Sequence, residues 1–215
     1  MYNKIHILGI LLIAGLLITQ GIGYSYDRAI EAESADTISE PMIIADDDTA
    51  SGGKFVWAPG ERATGGGGEG GLELIVILPE SGTYALWAKV IAWDGNSDSF
   101  WVNWLPADPD ENPQDTNNTE FRWAVAGGED WHWDRINHWL DGGTFEREWE
   151  LPAGETTLRI AVREDAAMLD VIFITDNLSA DEAEVNPRDP GPEDVTPVEP
   201  QEKLTTTWGK LKSQR

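Results

Sequence analysis

The sequence predicts an all-β fold, an antiparallel β-sandwich. Three observations carry that expectation. Apolar residues alternate with polar ones at period two in several short runs. Turn residues punctuate those runs at short intervals. No segment of residues 27–178 shows a 3.6-residue apolar stripe.

The elements follow in chain order. Residues 1–23, MYNKIHILGILLIAGLLITQGIG, carry Lys4, an apolar run from Ile7 to Ile18, and small residues Gly21 and Gly23. This reads as a secretory signal peptide. An uncleaved anchor is the other reading, since no Asp, Glu, Lys or Arg occurs from Ile5 through Tyr26. The short apolar stretch favours cleavage, which leaves no membrane span. No Cys follows, so lipid attachment at a cysteine is excluded.

Residues 27–178 are the expected sandwich. Leu72–Leu78 and Tyr84–Ile91 are β-rich runs joined by a Pro79–Gly82 turn. Phe100, Val102 and Trp104 alternate. Phe145, Trp149 and Leu151 are expected on one face of one strand, and Leu158, Ile160 and Val162 on one face of another. Leu151–Gly154 is a second turn. Two loops interrupt the pattern: TGGGGEGG at 64–71 and PADPDENPQDTNNTE at 106–120. The first contains G-x-G-x-x-G. It leads into a strand-like run rather than a helix N-terminus, and it carries Glu69, so a nucleotide site is rejected.

From Ser179 the chain turns acidic and Pro-rich, which predicts an extended linker over 179–202. Residues 203–215, KLTTTWGKLKSQR, reverse the charge. They form either a docking tail for a surface or protein partner or a frayed terminus.

Composition narrows the chemistry. Of the 215 residues, 39 are Asp or Glu and 15 are Lys or Arg, a net charge of -24. Such a surface repels phosphate backbones and anionic lipid, so nucleic acid is a poor partner. Neutral ligands and divalent cations suit it better. There is no cysteine, hence no disulfide, no thiolate metal site and no thiol nucleophile. Gly-x-Ser-x-Gly is absent. Eleven tryptophans are many for this length. Most are expected in the core, but a flat apolar face with an N–H handle also suits recognition.

Gly127–Ile136, GGEDWHWDRI, is the densest aromatic stretch. As a strand it projects Trp131 and Trp133 to one face and His132 to the other. Two rings on one face make a platform for a sugar ring; packing inside the sandwich is the alternative. Trp93 lies in a turn-rich loop beside Asp94, Asn96 and Ser97. His132 and His138 with Asp130 or Asp134 match no strong metal-ligand spacing. Glu31 and Glu33 alternate around Ala32 and point the same way if they lie in a strand. If the first and last strands are neighbours, Asp170 joins them, and three carboxylates meet as a calcium site requires.

Several segments together resemble carbohydrate-binding modules of the family 6 and family 35 type. They are EAES at 31–34, ASGGKFVW at 50–57, SGTYALWAKVIAWDGNSDSFWV at 81–102, WHWDRI at 131–136 and LPAGETTLRIAVREDAAMLDVIFI at 151–174. The resemblance spans about residues 29–176. It implies a jelly roll and a structural Ca²⁺ held by Glu31, Glu33 and Asp170 with backbone oxygens near Ser51 to Gly53. It also implies a sugar site in edge loops, using Phe55 or Trp57 and Trp131 or Trp133. The chain departs from the family at Ala166-Ala167-Met168, where a polar sugar-binding residue commonly stands, and in its acidic 106–120 insertion.

The expected function is a secreted or cell-surface, non-catalytic module, exported from a bacterium, whose partner is a polysaccharide or glycan. The alternative is a structural or adhesion protein of the cell surface using the same fold without a sugar site. A small polysaccharide-active enzyme is the third reading. With so many acids, however, a pair of carboxylates is easy to nominate and points to nothing.

Overall fold

Alternating strands need a second sheet to bury their apolar faces, and this chain supplies one. The structure, a computed structural model, describes residues 25–61, 67, 69–106, 120–140 and 143–194. The expected leader at 1–23, half of the 64–71 loop, most of the 106–120 loop, and everything from 195 onward, including the 203–215 tail, lie outside the described residues.

The strands are β1 (Asp27–Glu31), β2 (Thr37–Ser39), β3 (Ile43–Asp46), β4 (Lys54–Trp57), β5 (Gly71–Leu78), β6 (Gly82–Ala92) and β7 (Ser99–Leu105). They continue with β8 (Glu120–Ala124), β9 (Gly128–Arg135), β10 (Asn137–Leu140), β11 (Gly143–Glu146), β12 (Trp149–Leu151), β13 (Gly154–Val162) and β14 (Met168–Thr175). One short helix, α1 (Glu182–Val185), follows.

The larger sheet runs β12-β6-β14-β4-β3, with β1 also on β14 and β9 also on β6. The smaller runs β2-β5-β13-β7-β8, and β10 and β11 form a separate hairpin. Every pairing is antiparallel. The fold is a β-sandwich jelly roll, as expected. Both expected turns fall between strands, and Gly71 opens a strand, which fits the rejection of a nucleotide loop.

The inner faces interdigitate as period-two patterning requires. Leu86, Ala88 and Val90 of β6 meet Leu72, Leu74 and Val76 of β5, Leu158 and Ile160 of β13, and Phe100 and Val102 of β7 in one core.

One expected strand is split. The run Phe145–Leu151 becomes β11 in the hairpin and β12 on the edge of the larger sheet. Glu146, Arg147 and Glu148 put consecutive charges where a strand would bury every second residue. Instead Glu146 and Glu148 turn to Arg135, at 3.0 and 3.5 Å. Trp149 and Leu151 still share the buried face.

The larger sheet has a second apolar layer on its outer face. Trp87 and Ile91 of β6 point there, with Lys89 between them. In β14, Met168, Val171 and Phe173 do the same. The spacing from 168 to 171 is odd because the register against β6 slips between Leu169 and Val171. Asp170 is the extra residue of a β-bulge, and a bulge re-aims a side chain that alternation alone would not place.

Residues 179–194 correct the expectation of an extended linker from Ser179. They fold back over this outer face as a strap. Asp181 caps α1 by accepting from Ala183 N–H at 2.9 Å. Val185 packs on Trp87 and Phe173, Pro187 is buried, and the Arg188 guanidinium lies 6.0 Å over the Phe173 ring. Asp194 accepts from Ala29 N–H at 2.9 Å and pairs with Arg188. Polar contacts at fixed geometry, with only two buried apolar residues, hold this segment. A hydropathy reading has no way to register that.

Candidate functional site

Three carboxylates converge on the outer face. The first and last strands are neighbours, with Glu31 opposite Val171. The expected alternation of Glu31 and Glu33 does not hold, because the chain turns into a 3-10 helix at Ala32–Ser34. The turn still brings Glu33 beside Glu31. Oxygens of Glu31, Glu33 and Asp170 all lie within 4.8 Å of one another. That is the span open to ligands about 2.4 Å from a shared cation.

The surrounding backbone is shaped to these groups. Gly52 has φ of +61°, and a Cβ there would stand 3.3 Å from Glu33 Oε1 and 3.5 Å from Glu31 Oε1. Glycine permits both the conformation and the close approach. Ser51 N–H donates to Asp170 Oδ2 at 2.9 Å, and Ser51 Oγ donates to Glu31 Oε1 at 2.7 Å. Lys89 Nζ lies 3.2 Å from Asp170 Oδ2.

Those donors leave one side of each acid bare. Glu31 Oε2, Glu33 Oε2 and Asp170 Oδ1 are buried without a hydrogen-bond partner, and Asp170 is 0% exposed. Buried carboxylate oxygens are costly unless a donor or cation meets them. Burial pushes Glu33 up to about 7, helped by the charges of Glu31 and Asp170. Burial likewise pushes Asp170 up to about 6 and raises Glu31. This donor set, all oxygen and anionic, fits a hard divalent cation such as Ca²⁺.

Beside the acids lies an aromatic cluster. Phe55, Ile91 and Met168 are its buried floor. Trp57, Trp93 and Trp131 pack against that floor, each partly exposed. Phe55 and Trp131 meet edge to face, 5.6 Å between centroids, and Phe55 and Trp57 are 6.0 Å apart. Trp131 Nε1 donates to Asp47 Oδ2 at 3.3 Å. The Thr49 hydroxyl and amide, with that indole, hold the Asp47 carboxyl below its usual range. The segment 47–53 therefore serves both features: Asp47 fixes Trp131, and Ser51 fixes Asp170. Sequence reasoning missed Asp47 and Lys89. Lys89 had a signal, a lone charge inside an otherwise apolar strand.

Trp133 is placed elsewhere. Both tryptophans of β9 do face the outer side of the larger sheet. Trp133, however, packs 6.3 Å from Phe173, in the cluster of Ala29, Trp87, Val171 and Val185 under the strap. So Phe55, Trp57, Trp93 and Trp131 come together, and Trp133 does not join them. His132 turns away, its ring nitrogens on the carbonyls of Asp130 and Ala126 at 2.9 and 2.8 Å. Among the described residues, Glu31, Glu33 and Asp170 are the one group of three or more possible ligands close enough together to share a metal ion. The nonpolar stretch before β14 is buried: Ala166 N–H donates to Ala58 O at 2.8 Å, and Met168 joins the floor.

Comparison with protein-family models finds no match, and comparison with curated protein sequences finds none either. Solved structures do match. The GH26-CBM35 β-(1,4)-mannanase of Podospora anserina aligns at TM-score 0.47 and 16% identity, over 69% of this chain but only 27% of that one. The C-terminal CBM6 of LamC, a marine laminarinase of Zobellia galactanivorans, aligns at TM-score 0.47 and 16% identity over 70% of this chain and all of that one. A family 35 carbohydrate-binding module from Clostridium thermocellum aligns at 0.47 and 15%, over 69% and 97% respectively.

Proposed function

We propose that the protein is an exported, non-catalytic carbohydrate-binding module with one structural Ca²⁺. The observation that carries this reading is the set of partly exposed Trp57, Trp93 and Trp131 around a buried Phe55–Ile91–Met168 floor. Indole faces attract the slightly positive C–H edges of a sugar ring, and the Asp47 carboxylate is a ready acceptor for hydroxyls. Trp133 is left out of the sugar site because it belongs to the cluster under the strap.

The cation is supported by the unpaired oxygens of Glu31, Glu33 and Asp170. Held there, it cross-links β1, the 47–53 segment and β14. Through Asp47 it also steadies Trp131. Binding is preferred over hydrolysis because these three acids converge on one point. Glycosidase carboxylates instead flank a substrate at about 5 to 9.5 Å.

The test is a glycan array and polysaccharide pull-down, each with Ca²⁺ and with EDTA. Retention of a neutral glycan that weakens on chelation and in Trp131→Ala supports the reading. If no glycan is retained under either condition, the sugar-binding reading falls.

A further inference from the structure

At Asp189 the strap comes near the acidic trio, and one side chain links the two. Lys89 Nζ lies 3.2 Å from Asp170 Oδ2 and 2.9 and 3.1 Å from the two carboxylate oxygens of Asp189. Lys89 is 14% exposed and Asp170 0%, whereas Asp189, on the strap, is 50% exposed. Glu31 is near enough to feel both the Asp189 and Lys89 charges. A cleft of about 190 Å³ also reaches Glu31, between β1 and Pro190, Gly191 and Asp194 of the strap.

We propose that docking of the 179–194 strap and cation binding at Glu31, Glu33 and Asp170 are coupled through the Asp170–Lys89–Asp189 bridge, each strengthening the other. The inference rests on the cation reading above.

The argument is electrostatic. The Lys89 ammonium is a positive charge beside a site that attracts cations. Without Asp189, that charge is balanced chiefly by Asp170, so Lys89 competes with an incoming ion. Asp189 shares the ammonium from the strap side and lowers the competition. Conversely, a divalent ion at the trio weakens the hold of Asp170 on Lys89. The ammonium then leans more on Asp189 and tightens the strap. Linkage makes the two effects equal in size. The bridge is also shielded from water on the Asp170 side, where charge interactions are least screened.

The full chain is titrated with Ca²⁺ by calorimetry as wild type, Asp189→Asn and Lys89→Met. Hydrogen exchange of residues 179–194 is followed with Ca²⁺ and with EDTA. Asp189 is an exposed position, so Asp189→Asn leaves the core intact. It is expected to weaken Ca²⁺ about fivefold, while Lys89→Met tightens it. In the wild type, Ca²⁺ slows exchange in the strap by a similar factor; in Asp189→Asn it does not. If Ca²⁺ binds the wild type and both variants equally and leaves strap exchange unchanged, the coupling is refuted and the cation site stands. If the wild type binds no Ca²⁺, the cation reading fails and takes the coupling with it.

Discussion

Trp131 and Trp133 stand two residues apart on one face of one strand, yet they belong to different places. Trp133 sits with Trp87 and Phe173 beneath the strap. Trp131 sits with Phe55, Trp57 and Trp93, beside no such cover among the described residues. One sheet face is thus used twice. Where a later segment of chain returns, the aromatic layer is a second core. Where no described residue covers it, the same residue types are partly exposed. Residue type and strand phase set which way a ring points; what packs over it decides what it is for.

The contrast can be broken at its strongest point by stability. Trp133→Ala should cost about 3 kcal/mol, the loss of a large ring packed on Phe173 and Trp87. Trp131→Ala should cost less than half of that in the same urea melts. Equal losses would mean both rings are structural.

Cation removal acts between the two regions. Ca²⁺ at a hundredfold excess over its Kd should add about 2.7 kcal/mol, and EDTA should lower the Tm by several degrees. The sign with pH follows from the trio. Glu33, at about 7, and Asp170, at about 6, must be ionised to bind, so Ca²⁺ affinity should fall as pH drops from 8 through 6. Calorimetric titrations at several pH values check this, and a flat profile argues against these ligands.

For glycan binding the expected order reverses. Trp131→Ala should weaken it about three- to tenfold and Trp133→Ala little, provided the latter stays folded. Affinity electrophoresis distinguishes the two variants.

The smallest effect lies on the inner side of the same strand. Asp134 accepts from Trp123 Nε1 at 2.7 Å, and burial pushes its carboxyl up to about 6. A raised folded-state value penalises the ionised form, so stability is lost as pH rises from about 4 through 6. Asp134→Asn keeps one acceptor, for Trp123, and removes the ionisation penalty, which outweighs weakening the bond from Ala126 N–H. It should gain about 1 kcal/mol at pH 7 and flatten the profile across that window, with neither outer cluster disturbed.

Much of this architecture was legible in the sequence, because period-two patterning and turn residues are local signals. The strands around Leu74, Val90, Val102 and Ile160 could be read from their own neighbours. The shared face of Trp131 and Trp133 could be read the same way. Their separation could not, since it depends on Phe55 and Phe173, which are remote in the chain. Alternation and family resemblance point to Glu31, Glu33 and Asp170, yet their convergence uses a 3-10 turn and a bulge that alternation does not contain. The strap was hidden for another reason. Its composition is that of an extended chain, and its order comes from particular pairs such as Arg188 with Asp194 and Lys89 with Asp189.

The bulge at Asp170 is in effect a phase shift. With β14 strictly alternating, Met168 on the outer side would put Val171 and Phe173 inside and Ile172 and Ile174 outside. One extra residue resets the count, so that the strand supplies Met168 to one outer cluster, Val171 and Phe173 to the other, and an acid between them. Excising Asp170 would therefore do more than remove a carboxylate. It would leave the two ends of β14 disagreeing about which way is in, and one of the two aromatic layers would lose its members to the opposite side of the sheet.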